Sequence, residues 1–309
     1  MATLFGTPGP DLLLGSALAD IIDGRAGNDR IFGASGDDRL CGGLGNDFVK
    51  AGAGDDFVLG GDGDDHVVGN EGDDLIHGGL GRDHIEGGIG NDTLFGNAGN
   101  DFIFDESGWN RLYGNDGDDT LIGSGELRGG QGNDMLMGGR LADLLYGDAG
   151  IDDLNGDRGN DVLRGGDGND RLEGAHGDDL VFGGAGNDMI IGSELDSSLG
   201  NDTLVGGPGF DTYVYEAVTG GHFGGNDLIV DDVGGFRLVI DDLLMPLDSN
   251  GDGRVDANDD LCSIVDAIYD GETAASLRVE LMDAPSSSYG SVTFFDIASF
   301  SAEFVSTTF

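Results

Sequence analysis

The sequence predicts an all-β protein, a parallel β-roll (β-solenoid) of about 23 nine-residue turns followed by a small C-terminal cap region. Three observations predict it. A nine-residue period holds one phase from Gly6 to Val214, its eighth position is aliphatic in every unit but the last, and its sixth is aspartate behind a glycine-rich turn. The unit Gly42-Gly43-Leu44-Gly45-Asn46-Asp47-Phe48-Val49-Lys50 shows the pattern, and units starting at Ala51, Gly60, Gly69, Gly78 and Gly87 follow in register. So short a unit cannot bury its own apolar residue alone, so the repeats must stack on one another.

Twelve units lie end to end from Gly6 to Tyr113, a thirteenth spans Gly114 to Ile122, and a six-residue unit, Gly123 to Arg128, follows. Seven more cover Gly129 to Ile191, and after a fourteen-residue unit, Gly192 to Val205, the last closes at Val214. Positions seven to nine alternate outward, inward, outward, as in a short half-buried strand; Phe57-Val58-Leu59 and Arg39-Leu40-Cys41 are examples. The inward residues run from Leu13, Ile22 and Ile31 to Leu204, and only Tyr213 is not aliphatic. Glycine supplies backbone angles that a β-carbon disfavours, so G-G-x-G reads as a tight turn. Two such turns close one coil of eighteen residues, which brings units n and n+2 together as parallel strands about 4.8 Å apart.

Lys+Arg number 14 against 60 Asp+Glu, a formal net charge of -46 that a compact fold holds only against strong self-repulsion. Basic side chains cannot balance it. With Lys50 the only lysine, the chain offers nothing to nucleic acid or to an anionic membrane surface, and no segment has the apolar length of a membrane span. A disordered acidic linker would have no use for an aliphatic residue locked to one phase. Cys41 and Cys262 stand in neither a CxxC nor a Cys/His spacing, so neither a disulfide framework nor a zinc site is expected. The N-terminus has no basic-then-apolar leader, and its methionine beside the first repeat leads us to expect a complete chain.

The acids concentrate at positions five and six, as in Asp37-Asp38, Asp55-Asp56, Asp64-Asp65, Asp73-Asp74 and Asp118-Asp119. Position six reads Asp11, Asp20, Asp29, Asp38, Asp47, Asp56, Asp65, Asp74, Asp83, Asp92, Asp101, Asn110 and Asp119. It continues with Asp134, Asp143, Asp152, Asp161, Asp170, Asp179, Asp188, Asp202 and Asp211. Stacking the strands stacks these carboxylates, and each like-charge pair then repels by about 1 kcal/mol in water and about 3 to 4 at an effective dielectric near 20. A hard divalent cation reverses the sign. Calcium takes six to eight oxygens in forgiving geometry, including the carbonyls of a turn, whereas magnesium is smaller and keeps its waters. One ion per stacked pair of turns would bring on the order of 20 ions and about 40 positive charges, and binding would then be coupled to folding.

These residues resemble the RTX (repeats-in-toxin) family, the haemolysin-type calcium-binding nonapeptide repeat, over about two thirds of the chain. The aspartates match that family's sixth position and the glycines its first, second and fourth. The resemblance implies a right-handed parallel β-roll with Ca2+ between successive turns on both edges, export as an unfolded chain through type I secretion machinery, and folding in calcium-rich extracellular surroundings. Several units depart from the pattern. Asn110 replaces the aspartate, Leu18 and Leu141 replace the fourth-position glycine, Ala51 and Asp105 replace the first, and the unit Gly123 to Arg128 lacks the metal-binding half. We therefore expect a break in the ion ladder between Asp105 and Arg128, a stretch that includes Trp109.

The chain divides into the roll (1–214), capping strands (215–245), an EF-hand-like loop with a short helix (246–270) and a tail (271–309). Asn226 to Asp232 and Phe236 to Asp241 read as strands that cover the open end of the roll or form a plain β-rich tail. Asp248, Asn250, Asp252, the Arg254 carbonyl, Asp256 and Asp259 stand at the ligand positions of an EF-hand loop, with Gly253 at its sharp turn. Position twelve is aspartate rather than glutamate, so the site should be weak, similar to a dockerin-type loop. Leu261 to Tyr269 reads as its exiting helix, because Leu261, Ile264, Val265 and Ile268 share a helical face. Ser291 to Phe309, rich in Phe, Ser and Thr, looks like a C-terminal type I secretion signal, with a strand of the cap as the other reading.

No H-E-x-x-H and no G-x-S-x-G stands in the chain, so an enzyme is not expected. His66, His77, His84 and His176 read as varied outward surface, and His222 lies beyond the repeats. The expected function is that of a secreted calcium-binding roll with a structural, adhesive or interaction role. The alternative is the calcium-dependent secretion or folding module of an RTX toxin or extracellular hydrolase. Outward aromatics such as Phe48, Phe95 and Tyr113 could make patches for a partner, with scattered surface residues as the plainer reading.

Overall fold

A computed structural model describes residues 2–193, 200–215, 226–230, 236–241, 262–269, 272–284, 287–294 and 302–307. The EF-hand-like loop, 248–259, lies outside the described residues. Every regular element among those described is a strand, and no helix there is long and apolar enough to cross a membrane. The chain forms two compact units, Met1–Asp153 and Leu154–Phe309.

In the first unit each strand pairs in parallel with the strand two units on. Phe48–Ala53 lies between Arg30–Ser35 and His66–Glu71, with Val49 opposite Ile31 and Val67; Phe57–Asp62 lies between Arg39–Leu44 and Leu75–Leu80. The offset is eighteen residues, one coil. A nonapeptide is therefore half a coil. The twenty-three units make about ten coils, not twenty-three turns, because a strand can pair only after the chain has reversed twice.

The eighth-position residues from Ile22 to Leu145 fill the interior of this unit and are at most 1% exposed, while Leu13 in the first coil is half-buried. First-position residues also face inward, so a six-residue strand such as Phe57–Asp62 alternates two buried positions with exposed neighbours. The three glycines of the motif answer different needs. At the second and fourth positions Gly43 and Gly45 have φ near 114° and 118°, the left-handed region. Many second positions that are not glycine keep that conformation, chiefly as Asn or Asp (Asn70, Asn97, Asn115, Asp148), the residues that tolerate it best, whereas Thr7 and Ser16 do not. The first-position glycine has no such φ; it is needed for space, as the site below shows.

In the second unit Val162–Asp167 pairs in parallel with Leu180–Ala185, Arg171–Glu173 with Met189–Ser193, and that strand with Asp211–Tyr215. Tyr213, the one aromatic at an eighth position, is fully buried. The stacking does not stop at Val214. Asn226–Val230 pairs in parallel with Thr203–Val205 and Phe236–Asp241 with Asp211–Tyr215, and Ser287–Phe294 and Ala302–Thr307 stack on those two in turn. These strands continue the ladder over its last repeats, and the described part of the tail is strand.

The helix expected over Leu261 to Tyr269 is not found. Cys262–Tyr269 is a strand, antiparallel to Glu272–Ala284, which pairs onward with Ser287–Phe294. The residues that share a helical face include Ile264, Val265 and Ile268, a β-branched residue type that favours strands. Strand propensity and antiparallel pairing outweighed a short helical period.

Each half-coil sends a single aliphatic side chain into the interior, so its strand has no second one to refill a gap. Replacement Ile85→Ala should destabilise the folded roll by about 2–5 kcal/mol in denaturant titration with calcium present.

Candidate metal centre

The sixth-position aspartates are buried, Asp29 to Asp119 being 0–2% exposed. Burial of so many carboxylates demands an account of both oxygens of each. Oδ1 is accounted for: the Asp47 backbone N–H donates to Asp65 Oδ1 at 2.8 Å, that of Asp65 to Asp83 Oδ1 at 2.8 Å, and that of Asp56 to Asp74 Oδ1 at 2.8 Å. The same bond joins Asp161 to Asp179 at 2.8 Å and Asp170 to Asp188 at 2.9 Å in the second unit. Each carboxylate thus reaches back one coil and clasps a peptide N–H, a charge-assisted bond worth about 1.5–3 kcal/mol.

Oδ2 is not. Among the described residues Asp29, Asp38, Asp47, Asp56, Asp65, Asp74, Asp83, Asp92, Asp101, Asp119, Asp134, Asp179 and Asp188 have a buried Oδ2 with no hydrogen-bond donor. This oxygen lies beside the first-position glycine of its own unit. A β-carbon on Gly60 would sit 2.6 Å from Asp65 Oδ2 and collide with the Gly78 carbonyl oxygen one coil on; one on Gly42 would meet Asp47 Oδ2 and, at 2.5 Å, the Gly60 oxygen. A carboxylate oxygen and a main-chain oxygen from the next coil therefore face one point, with no proton donor between them. Oxygens gathered in this way fit a hard cation such as calcium. They do not fit a soft metal, which would want nitrogen or sulfur.

Without a cation the arrangement is costly, and the carboxyl groups show it. Burial, the largest cause, pushes Asp47, Asp56 and Asp83 up to about 6, and Asp65, Asp74, Asp101 and Asp134 up to about 7, against the backbone bond that pulls them down. Asp20 shows the contrast. Its carboxyl is held below the usual range, first by the Ala2 N–H and next by the Ser16 hydroxyl.

Not every predicted ligand has the same surroundings. The Oδ2 of Asp11 accepts from the Thr7 hydroxyl at 2.9 Å, that of Asp20 from the Ser16 N–H at 2.7 Å, and that of Asp143 from the Gly139 N–H at 2.7 Å. Two of these units carry Leu18 and Leu141 at the fourth position. Neither leucine adopts the positive φ of the glycine it replaces, and the second-position amide turns onto the carboxylate instead. At these three aspartates a donor already stands where Asp29, Asp47, Asp65 and Asp83 have none.

Between Asp105 and Arg128, where a break in the ion ladder is expected, the surroundings of the row change at particular residues. Asn110 Oδ1 keeps its place by accepting the Asp92 N–H at 2.9 Å, while its Nδ2 donates to the carbonyls of Asp105 and Ser107 at 3.2 and 3.4 Å. An amide supplies there the positive pole that a carboxylate would need from an ion. Asp105, at a first position, turns its buried carboxylate toward Gly87, where a β-carbon would also meet Asp92 Oδ2 at 2.6 Å. Two carboxyl groups share that point, and burial, then Asp92, pushes Asp105 up to about 8. In the short unit Gly125 takes the sixth position, its N–H donating to Asp143 Oδ1 at 2.7 Å. Asp119 and Asp134, in the other row, are joined normally across the shortened coil at 2.8 Å.

The fifth position is a part of the site that sequence reasoning missed. Its side chain reaches forward as the sixth reaches back: Asp55 Oδ1 accepts the Asp73 N–H at 2.9 Å, Asp73 Oδ1 the Asn91 N–H at 2.8 Å, and Asn91 Oδ1 the Trp109 N–H at 3.0 Å. The signal was present in the indifference of this position to Asn or Asp. Both offer the same acceptor at the same reach, which marks a hydrogen-bond duty rather than a charge.

Two outcomes follow from the crowding and the charge. Gly60→Ala places a methyl group between Asp65 and the Gly78 carbonyl without straining φ, so calcium titration should show fewer ions bound per chain while β-structure persists at saturating calcium. In chelator, carboxyls at about 6 to 7 when folded and near 3.8 when unfolded make the folded chain bind more protons between about pH 4 and 7, so its stability falls as pH rises through that window. Calcium-free protein should therefore gain β-structure by circular dichroism on acidification from about pH 7 to 4, whereas calcium-loaded protein should lose stability as protons compete for its ligands.

The model of the RTX calcium-binding nonapeptide repeat matches residues 5–40, 14–49, 42–76, 50–85, 68–103, 104–125, 128–163, 155–190 and 195–213. No curated protein matches the chain. Two rows of buried carboxylates, a phase kept from the first coil to the last repeat and a family match over most of the same residues lead to one conclusion: the chain belongs to the RTX calcium-binding nonapeptide repeat family and is a calcium-binding parallel β-roll.

Proposed function

We propose that this is a secreted protein whose roll folds on taking up many calcium ions, and that it serves as a structural, adhesive or interaction scaffold rather than an enzyme. The observation that carries the reading is the buried Oδ2 of Asp29, Asp47, Asp65, Asp83 and their counterparts on the other edge, each beside a carbonyl and without a donor. These aspartates, with the first-position carbonyls, would hold the ions. Calcium supplies there the positive charge that the side chains cannot; on the order of 20 ions would offset most of the formal charge of -46.

Export and folding are linked by the same charges. Calcium modules of extracellular proteins respond at roughly 0.1–1 mM, far above cytosolic levels, so such a chain would stay open inside a cell and close outside it. The acidic, lysine-poor composition and the Phe- and Ser-rich C-terminus fit passage through type I secretion machinery. A scaffold role fits a chain in which the repeat takes up two thirds of the length and no hydrolase motif accompanies it.

The test is calcium titration with chelator reversal, followed by circular dichroism and by fluorescence of Trp109, the single tryptophan, which is 39% exposed. A cooperative coil-to-β transition that takes up many ions, reverses in chelator and is not reproduced by magnesium is expected. Unchanged β-structure in chelator at neutral pH would overturn the reading.

A further inference from the structure

Two imidazoles and a carboxylate meet on the outer face of one sheet in the first unit. His66 and His84 occupy the same outward register one coil apart, paired directly in the parallel ladder, with ring centroids 4.7 Å from each other. Glu86 stands two residues beyond His84 and so on the same face. Its Oε1 is 3.0 Å from His84 Nε2 and 4.0 Å from His66 Nε2, and one ligating atom from each of the three side chains lies within 4.8 Å of the others. All three are 43–45% exposed, open to solvent yet not fully free.

We propose that His66, His84 and Glu86 form a transition-metal site of the zinc class, distinct from the calcium rows, that clips two adjacent coils together on the outside of the roll. The donor set decides the metal. Calcium wants six to eight oxygens, whereas imidazole nitrogen suits zinc, copper and nickel. Zinc bonds of about 2.0–2.2 Å put two ligands of one tetrahedral ion roughly 3.3 Å apart. The separations of 3.0 and 4.0 Å from Glu86 Oε1 fall either side of that. Three protein ligands leave a fourth corner for water, as the outward position requires.

The ligands are also held before any metal arrives. Phe48 packs edge-on to His66 at 5.1 Å and Phe102 against His84 at 4.9 Å, so the pair is bracketed by aromatic rings in its own row. The parallel register fixes both backbones, and the entropy of ordering two imidazoles falls on folding rather than on binding. His77 provides the contrast, since it stacks on Phe95 at 4.6 Å in the other sheet.

The experiment uses the full chain in excess calcium, which keeps the aspartate rows occupied, and titrates it with Zn2+ by calorimetry. Co2+ absorption reports the coordination geometry, and circular dichroism confirms that each variant is folded. We expect one Zn2+ per chain bound without competition from calcium, and affinity lowered by about tenfold or more in His84→Ala and in Glu86→Gln. His77→Ala should bind as the unaltered protein does. Folded protein that takes up no Zn2+, or a site that survives the double replacement of His66 and His84 by alanine, would overturn the proposal; failure of the calcium transition itself would instead appear in the dichroism.

Discussion

The second oxygen of the sixth-position carboxylate is the constraint on which the rest of the structure depends. The first oxygen is bound to a peptide N–H one coil away and helps hold the coils in register. That bond forces the carboxylate inward, and the second oxygen is then carried into a place with carbonyl oxygen beside it and no donor. Neighbouring charges in one row repel by about 3 to 4 kcal/mol at an intermediate dielectric, more than the clasp returns. A roll so built is conditional: neutralisation of its edges, by protons or by a divalent cation, is what allows the aliphatic interior to close.

Each position of the nonapeptide then has a physical duty. The eighth supplies the apolar interior, about 1.5–3 kcal/mol for each side chain fully buried. The second and fourth reverse the chain through positive φ, and the first gives up its β-carbon so that two oxygens can converge. The fifth and sixth clasp forward and back. Departures from the motif are informative because they change one duty at a time. Leu18 and Leu141 abandon the fourth-position φ and bring a donor onto the carboxylate, Asn110 replaces an ion by its own amide, and Asp105 adds a carboxylate where glycine would leave space.

The roll was legible because periodicity is a property of sequence that survives without knowledge of the third dimension. Phase alone identified the buried eighth-position residues from Ile22 to Tyr213 and the buried sixth-position aspartates from Asp20 to Asp211, though not Ile191 at a ninth position or Asp105 at a first. The eighteen-residue coil was legible as well, but the count of twenty-three turns was too high, because it numbered repeats of sequence where two of them make one repeat of pairing. Nor could phase show where a carboxylate is already capped by a neighbouring amide, as at Asp11, Asp20 and Asp143, because that depends on a turn conformation that substitution alters. Beyond Val214 the period fades, and there a helical spacing of Ile264, Val265 and Ile268 misled where strand pairing decided.

Outward positions obey the same geometry, with consequences for what the surface can carry. A residue at position seven or nine meets its counterpart from the next coil at one strand spacing, so each row stacks the side chains of successive coils against one another. Acids in such a row would repel without the turn carbonyls that let an ion reach the edges. Rings gain by it: Phe48, His66, His84 and Phe102 follow one another at 4.7 to 5.1 Å, and Phe95 stacks on Tyr113 at 4.8 Å. Arginine enters the rows over aromatic faces, Arg39 on Phe57 at 4.7 Å and Arg164 on Phe182 at 4.2 Å. The arginines so placed stand on the flanks rather than beside the carboxylate rows, which leaves those rows to the positive charge the surroundings provide.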